Sequence, residues 1–144
     1  MKKIILAGIF SLILLLGIFS YGFYSILEVE IFEMDAYIVE DEIGFNLDED
    51  KLHFGNIPVY GSGSFRELTI ENVYDEDVKV FLSDSGNIDD FVYFEVDGGS
   101  FEECEFVLSV NETKNFKVVF KNENTNAGDY YSGKLRIVTK RLII

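Results

Sequence analysis

Histidine and cysteine are almost absent from this chain of 144 residues, each occurring once, as His53 and Cys104. A single histidine excludes a multi-histidine metal site within one chain. A single cysteine excludes an intramolecular disulfide, so stability must come from a packed core. We expect Cys104 to lie buried on an apolar strand, as free cysteines usually do, with a disulfide-linked dimer as the alternative.

Basic residues are also scarce, since 12 Lys and Arg stand against 26 Asp and Glu, which gives a formal net charge of −14. A surface of this sign repels phosphate backbones, which argues against nucleic-acid binding. The acidity fits solubility outside the cell, and it suggests a basic or calcium-bridged partner.

Charged residues are missing from one long run near the start of the chain. Lys2 and Lys3 are followed by residues 4–27, which carry no charge, and acidic residues follow from Glu28 onwards. About 20 apolar residues suffice to span a bilayer, and basic flanks stay in the cytoplasm. We therefore predict a transmembrane signal anchor over residues 1–27, with the N-terminus inside, a single span of the cytoplasmic membrane, and an extracytoplasmic remainder. The alternative is a cleaved secretory signal, although no A-x-A cleavage site follows the run.

The rest of the chain shows short runs of alternating apolar and polar residues, separated by turn residues such as Gly98-Gly99. The period of two predicts strands, and no segment after residue 27 has helical periodicity. We expect an extended linker over residues 28–36 and one antiparallel β-sandwich over residues 37–144. The predicted strands cover residues 37–45, 52–54, 65–72, 78–82, 91–96, 106–110, 116–120 and 131–139.

Two stretches of this region resemble a known domain. The sequence LHFGNIPVYG at 52–61, followed by RELTIEN at 66–72, is similar to the opening of immunoglobulin-like domains of the ASH/Hydin type. GDYYSGKLRI at 128–137 resembles their final hairpin, and IGFNLD at 43–48 is similar to archaeal membrane-anchored proteins that carry this domain. Val59-Tyr60 departs from the family pattern at the first turn. The resemblance implies an all-β, immunoglobulin-like fold and a scaffold or adhesion-like role, without catalytic residues.

Few motifs point to chemistry. Asn111-Glu112-Thr113 is an N-glycosylation acceptor, which makes Asn111 a possible glycosylation site. Residues 122–129 lack the ligand order of a calcium loop, so we expect a polar hairpin loop there, and no metal or cofactor is expected. Cys104 and His53 are the one pair of residues that could act as nucleophile and base. The acidic neighbours of Cys104 disfavour its thiolate form. We therefore expect the protein not to be an enzyme.

The chain ends on three apolar residues, Leu142, Ile143 and Ile144. They either continue the last strand into the core or form an edge that adds to the sheet of a neighbouring molecule.

The leading hypothesis from sequence is a membrane-anchored, extracytoplasmic, non-enzymatic interaction module of the cell envelope, which binds a partner protein or a surface layer. The alternative is a subunit of a thread or pilus-like filament assembled by β-strand exchange, through the N-terminal extended segment or residues 142–144. Homo-oligomers are compatible with both hypotheses. A third, weaker hypothesis is a hydrolase or redox enzyme that uses Cys104.

Overall fold

The computed structural model of the protein describes residues 2–40, 51–61 and 63–142, without the side chains of residues 2–7 and 23. An α-helix, α1, spans Lys2–Ser25 and leads directly into the first strand, β1, at Ile26–Val39. The further strands are β2 (Lys51–Pro58), β3 (Ser64–Glu71), β4 (Val78–Gly86), β5 (Val92–Val96), β6 (Gly99–Phe101), β7 (Cys104–Leu108), β8 (Thr113–Phe120) and β9 (Tyr130–Arg141). A short 3-10 helix lies at Asp89–Phe91.

The strands form two sheets, which confirms the predicted all-β domain. One sheet has five strands in the order β2-β1-β9-β4-β7, and the other has four in the order β3-β8-β5-β6. The expectation of a purely antiparallel arrangement is wrong at one place, because β1 and β2 pair in parallel. A parallel pair needs a connection that returns the chain to the same end of the sheet, and residues 40–50 are long enough to do this, unlike a tight hairpin.

Residues 28–36, expected to form a linker, lie within β1. They pair with β9 in a register that runs from Glu28 opposite Thr139 to Ala36 opposite Tyr131. Met34, Ala36 and Ile38 are buried in the core, since every second residue of a strand points to the same face. The predicted strand at residues 37–45 therefore coincides with the end of β1 as far as Val39, and residues 41–45 lie outside the described residues.

The core lies between the two sheets and is filled from both. Phe94, Phe116 and Phe120 are almost fully buried, and the rings of Phe54 and Phe120 lie 5.7 Å apart between centroids. Burying each such ring contributes roughly 1.5–3 kcal/mol relative to exposure. Cys104 is buried at 8% exposure, as the sequence predicts. The core therefore takes the place of the disulfides that the chain cannot form.

Two predictions about secondary structure need correction. Strand β6 was not predicted, because it has only three residues directly after a Gly-Gly turn. The apolar N-terminal run folds as α1 as far as Ser25, and Ile26 already belongs to β1. Within the described ranges, no helix is both long and apolar enough to cross a bilayer, so the expected transmembrane span is not found there.

Candidate binding face

The face of the five-stranded sheet that points away from the core presents every second residue of its strands. On β1 these are the odd-numbered residues from Val29 to Tyr37, because Met34 and Ala36 point inwards. On β9 they are the even-numbered residues from Tyr130 to Lys140, whose neighbours Leu135 and Ile137 are buried. We call this surface the outer face.

One end of the outer face combines cations with exposed apolar side chains. Strand register places Ile31 opposite Arg136 and Ile26 opposite Lys140. Val29 and Ile31 are exposed at 42% and 58%. We call this end the basic strip, and its exposed or half-buried members are Ile26, Val29, Ile31, Lys79, Phe81, Lys134, Arg136 and Lys140. Val138 lies between Arg136 and Lys140 on the same face but is buried at 7% exposure.

The three cations that β9 places on the outer face, Lys134, Arg136 and Lys140, differ from most basic side chains of the domain. Six others form ion pairs, namely Lys51 with Glu33, Lys79 with Glu105, Lys114 with Asp97, Lys117 with Glu95, Lys121 with Glu123 and Arg141 with Glu76. Among the basic side chains that the structure describes, Lys134, Arg136, Lys140 and Arg66 on β3 lack an ion-pair partner. Three of these four lie on the outer face, in a protein that carries a large excess of carboxylates.

Two of the cations on this face have an aromatic ring or a carboxylate as a close neighbour. The ammonium nitrogen of Lys140 lies 4.7 Å from the ring centroid of Phe81, which is a cation–π distance. Lys134 lies opposite Glu33, whose carboxylate bonds Lys51 at 2.9 Å. That hydrogen bond, together with the charge of Lys51, lowers the pKa of Glu33. Arg136 and Lys140 therefore remain the charges that a partner can still neutralise.

A shallow groove of about 460 Å³ runs along this end of the outer face. Ile26, Phe81, Arg136 and Lys140 line it together with two carboxylates, Glu103 and Glu105. The groove is shallow and combines apolar side chains with charges of both signs, which suits a protein surface better than a small polar ligand.

An acidic cleft of about 600 Å³ adjoins the groove, since Glu103 borders both. Its carboxylates come from Asp84, Asp89, Asp90, Glu102, Glu103 and Glu123. Burial raises the pKa of the half-buried Asp84 to about 6. A hydrogen bond to its own backbone offsets part of this rise, and the charges of nearby carboxylates add to the rise. In the part of the chain that the structure describes, no group of three or more acidic, His or Cys side chains has the geometry of a metal site.

Asn111, the possible glycosylation site, lies exposed in the turn between β7 and β8. Its φ of 60° is in the left-handed region, which asparagine tolerates, and the Glu112 backbone N–H donates to the Ser109 carbonyl at 3.0 Å. The acceptor amide is therefore accessible, and its modification stays a prediction.

Leu142, a predicted edge-contact residue, is half-buried, and its backbone N–H donates to the Asp77 carbonyl at 3.3 Å. Ile143 and Ile144 lie outside the described residues. Leu142 therefore lies beside the start of β4 in the same molecule. Strand exchange through Ile143 and Ile144 stays a prediction.

His53 and Cys104 lie on opposite edges of the five-stranded sheet, on β2 and β7. Four strand spacings of about 4.8 Å separate them by about 19 Å, which excludes a nucleophile–base dyad within one chain. The imidazole Nδ1 of His53 instead lies 2.5 Å from the Asp35 carboxylate. Burial, reinforced by the charge of Asp97, raises the pKa of the Cys104 thiol and keeps it protonated.

Sequence reasoning missed both the basic strip and the acidic cleft. A signal for the strip is present, because Lys134, Arg136 and Lys140 recur with period two along one strand. Nothing in the sequence indicated that β1 and β4 flank this strand and contribute apolar residues. The cleft has no local signal, since its carboxylates come from segments far apart in the chain.

Comparison with known proteins adds little to this picture. No protein-family model matches the chain, and no curated protein matches it. A solved structure with weak similarity is PliG of Aeromonas hydrophila, a periplasmic lysozyme inhibitor of g-type lysozyme. The alignment has a TM-score of 0.33 and 8% identity, and covers 74% of this chain and 98% of that one. Similarity this weak supports no conclusion about function.

Proposed function

We propose that the protein is a non-enzymatic interaction module of the cell envelope, which binds a partner protein or a surface layer through its outer face. The observation that carries this proposal is the basic strip, where the unpaired Arg136 and Lys140 flank the exposed Val29 and Ile31. Protein interfaces combine an apolar centre with a polar rim and are enriched in arginine. Exposed apolar side chains beside unneutralised cations are what an acidic partner surface would cover.

A non-enzymatic role is favoured by the separation of the two reactive side chains. His53 and Cys104 occupy opposite sheet edges, and the Cys104 thiol is held in its protonated form. The resemblance to immunoglobulin-like domains of the ASH/Hydin type, if it extends to function, agrees with a scaffold role. Assignment of the sandwich to that domain type is part of this proposal.

We place the domain on the outer side of the cytoplasmic membrane. The support is the charge pattern of the N-terminus, where Lys2 and Lys3 precede an uncharged apolar run, and the acidity of everything after it. N-terminal protein sequencing from isolated envelopes distinguishes a retained segment from a removed one. Recovery of the protein from the cytoplasmic fraction would contradict the placement.

The alternative role, as a filament subunit joined by strand exchange, has less support. Strand exchange through the N-terminal extended segment requires a strand with a free edge. The strand β1 pairs with β9 on one side, and on the other side it pairs with β2 from Glu33 to Val39. Within the described residues, the free edge of β1 is therefore limited to residues 26–32.

The binding role is tested by capture of partners from envelope extracts with two charge-reversal variants of the full chain, across a range of salt and calcium. Arg136→Glu reverses an exposed cation on the outer face, and Lys117→Glu reverses a partly exposed cation on β8 in the other sheet. We expect Arg136→Glu to lose the captured partner and Lys117→Glu to retain it. Capture that is equal for both variants, or no capture by the unaltered protein, would reject the outer face as the binding surface.

A further inference from the structure

We propose that one end of the outer face binds a neutral saccharide. This end, which we call the tyrosine patch, consists of Glu33, Asp35, Tyr37, Lys51, Tyr130 and Lys134. The inference goes beyond the proposed function, because it needs neither Arg136 nor Lys140 and names a ligand of different chemistry. It rests on an exposed pair of aromatic rings, on hydrogen-bonding groups beside them, and on a local balance of charge.

The side chains of the tyrosine patch point away from the core, as the strand register and the burial pattern show together. Three cross-strand pairs of β1 and β9 form it, namely Tyr37 with Tyr130, Asp35 with Ser132, and Glu33 with Lys134. Lys51 of β2 stands opposite Glu33 on the other side of β1. Met34 and Ala36, which alternate with these residues on β1, are buried, and successive side chains of a strand point to opposite faces. The patch is therefore a single surface, and it meets the basic strip at Lys134.

Tyr37 and Tyr130 provide two aromatic rings that are open to solvent, since Tyr37 is exposed at 44% and Tyr130 at 55%. Residues directly opposite each other on antiparallel strands have Cβ atoms about 4.5–5.5 Å apart, so the two rings start from adjacent positions. A tyrosine ring has an apolar body and a polar tip. A pyranose ring matches it, because one face of the sugar carries C–H groups that pack on an aromatic ring, while its rim carries hydroxyl groups.

Hydrogen-bonding groups surround a depression of about 500 Å³ beside Tyr130, a volume within the range of about 300–1,000 Å³ that is typical of ligand pockets. Asn87 lines it, and its Oδ1 accepts from the backbone N–H of Ser132 at 2.7 Å, which holds the amide against β9. Of the two N–H donors of this amide, one is directed at the Tyr130 carbonyl oxygen at 3.5 Å. The Asp35 carboxylate also lines the depression, bonds the His53 imidazole at 2.5 Å and remains 24% exposed. Sugar hydroxyls both donate and accept, so the second amide N–H and a carboxylate oxygen suit them.

The charges around this depression cancel, although the protein as a whole carries a net charge of −14. Among the described residues that line it, the anions are Glu33 and Asp35, and the cations are Lys51 and Lys134. Lys51 bonds Glu33 at 2.9 Å. A surface that is complementary to a charged partner carries an excess of the opposite sign, and this depression has no such excess. A neutral ligand therefore fits it better than an anionic or a cationic chain.

The test is binding of short neutral oligosaccharides, of hexoses and of N-acetylhexosamines, to the full chain. A polyoxyethylene detergent covers the exposed apolar side chains of α1, because an alkyl glycoside detergent would compete through its sugar head group. An array of the oligosaccharides identifies a probe, and titration calorimetry measures its affinity. We expect the unaltered chain to bind at least one of them with a dissociation constant below about 1 mM. The affinity should change by less than about twofold between about 0.05 M and 1 M salt, because screening acts on interactions between charges.

Four variants locate the binding. Tyr130→Ala should raise the dissociation constant at least about tenfold, and Tyr37→Ala, on the neighbouring strand, should raise it in the same direction. Tyr130→Phe keeps the ring and should bind within about threefold of the unaltered chain. The matched control is Phe65→Ala, because Phe65 is exposed at 54%, as Tyr130 is at 55%, and lies on β3 in the other sheet. The control should bind like the unaltered chain, and circular dichroism of each variant checks that it is folded.

The inference is overturned if the unaltered chain binds none of the oligosaccharides, or if Tyr130→Ala and Phe65→Ala bind equally well. Loss of a captured protein from Tyr130→Ala, without any saccharide binding, would assign the tyrosine patch to a protein partner and would also overturn it. Capture that depends on Arg136 would in these cases leave the proposed function intact. Saccharide binding that depends on Tyr130, together with capture that ignores Arg136→Glu, would support the inference and reject the proposed binding surface.

Discussion

Replacing Asn72 with alanine removes an amide that ties together two chain segments, the connection between β3 and β4 and the end of β7. The side chain is buried at 1% exposure, and the two hydrogens of its Nδ2 are shared among three carbonyls, those of Glu76 at 2.9 Å, Leu108 at 3.2 Å and Ser109 at 3.0 Å. Its Oδ1 accepts from the backbone N–H of Tyr74 at 3.0 Å. Alanine leaves these groups without their side-chain partner, and the bond to the Leu108 carbonyl is the one among the four that is fully buried.

The magnitude follows from the groups left unsatisfied. Each buried donor or acceptor without a partner costs about 1–3 kcal/mol, and some of the carbonyls here keep partial access to solvent, so we expect a total loss of about 3 kcal/mol. A domain of this size is typically stable by about 5–15 kcal/mol, so the loss is a large fraction. It corresponds to a fall in Tm of about 10 °C.

The assay is urea and thermal unfolding of the full chain in mild detergent, followed by near-ultraviolet circular dichroism of the tyrosines. The matched control is Asn115→Ala, because the exposed Asn115 amide accepts one hydrogen bond, from Thr69 Oγ1 at 2.8 Å. The control should lose no more than about 0.5 kcal/mol. Asn72→Asp should be at least as destabilised as Asn72→Ala, since a carboxylate would face three carbonyl oxygens. Equal losses for Asn72→Ala and Asn115→Ala would refute the reasoning.

Three further outcomes are expected. Gly133→Ala should lower the free energy of unfolding by about 2–3 kcal/mol, because the added Cβ would lie 2.2 Å from the Ser85 carbonyl oxygen. Gly128→Ala should lower it by about 1 kcal/mol through backbone strain alone, because Gly128 has a φ of +91° and open space around it. Similar losses for the two variants in urea unfolding would contradict this. The pKa of Asp84 is raised from 3.8 to about 6 in the folded state, so between these pH values the folded protein binds a proton that the unfolded chain does not. The free energy of unfolding should therefore rise as the pH falls from 7 to 4. Asp84→Asn should remove that rise and should be more stable than the unaltered protein at pH 7 by about 1 kcal/mol, a value reduced for solvent screening. If the stability of Asp84→Asn still rises in the same way as the pH falls, Asp84 is not the source of the rise. The Cys104 thiol should react with an aromatic disulfide reagent only after unfolding, because it is buried and its pKa is raised, and fast labelling of the native protein would count against its burial.

Much of the fold was predictable because its signals are local. Alternation along Val78, Val80 and Leu82 identifies both a strand and its inward face, and all three side chains are buried. Turn residues between such runs mark where strands end, and a lone cysteine on an apolar strand indicates burial. These features depend on nearest neighbours in the chain, so a single sequence suffices to read them.

The neighbours of each strand were decided by the tertiary structure. Residues 28–36 alternate in a way that fits a free extended segment as well as a sheet strand, and only the register with β9 places Met34 and Ala36 in the core. The parallel pairing of β1 with β2 likewise depends on a long connection rather than on a turn motif.

The candidate site likewise depends partly on local sequence and partly on contacts between distant segments. The sequence determined that Lys134, Arg136 and Lys140 share one face of a strand, because side chains alternate with period two. The tertiary structure decided that Val29 and Phe81 flank them and that carboxylates of distant segments gather beside them. Composition sets how much charge a chain carries, whereas the order of strands in a sheet sets which charges are left without a partner.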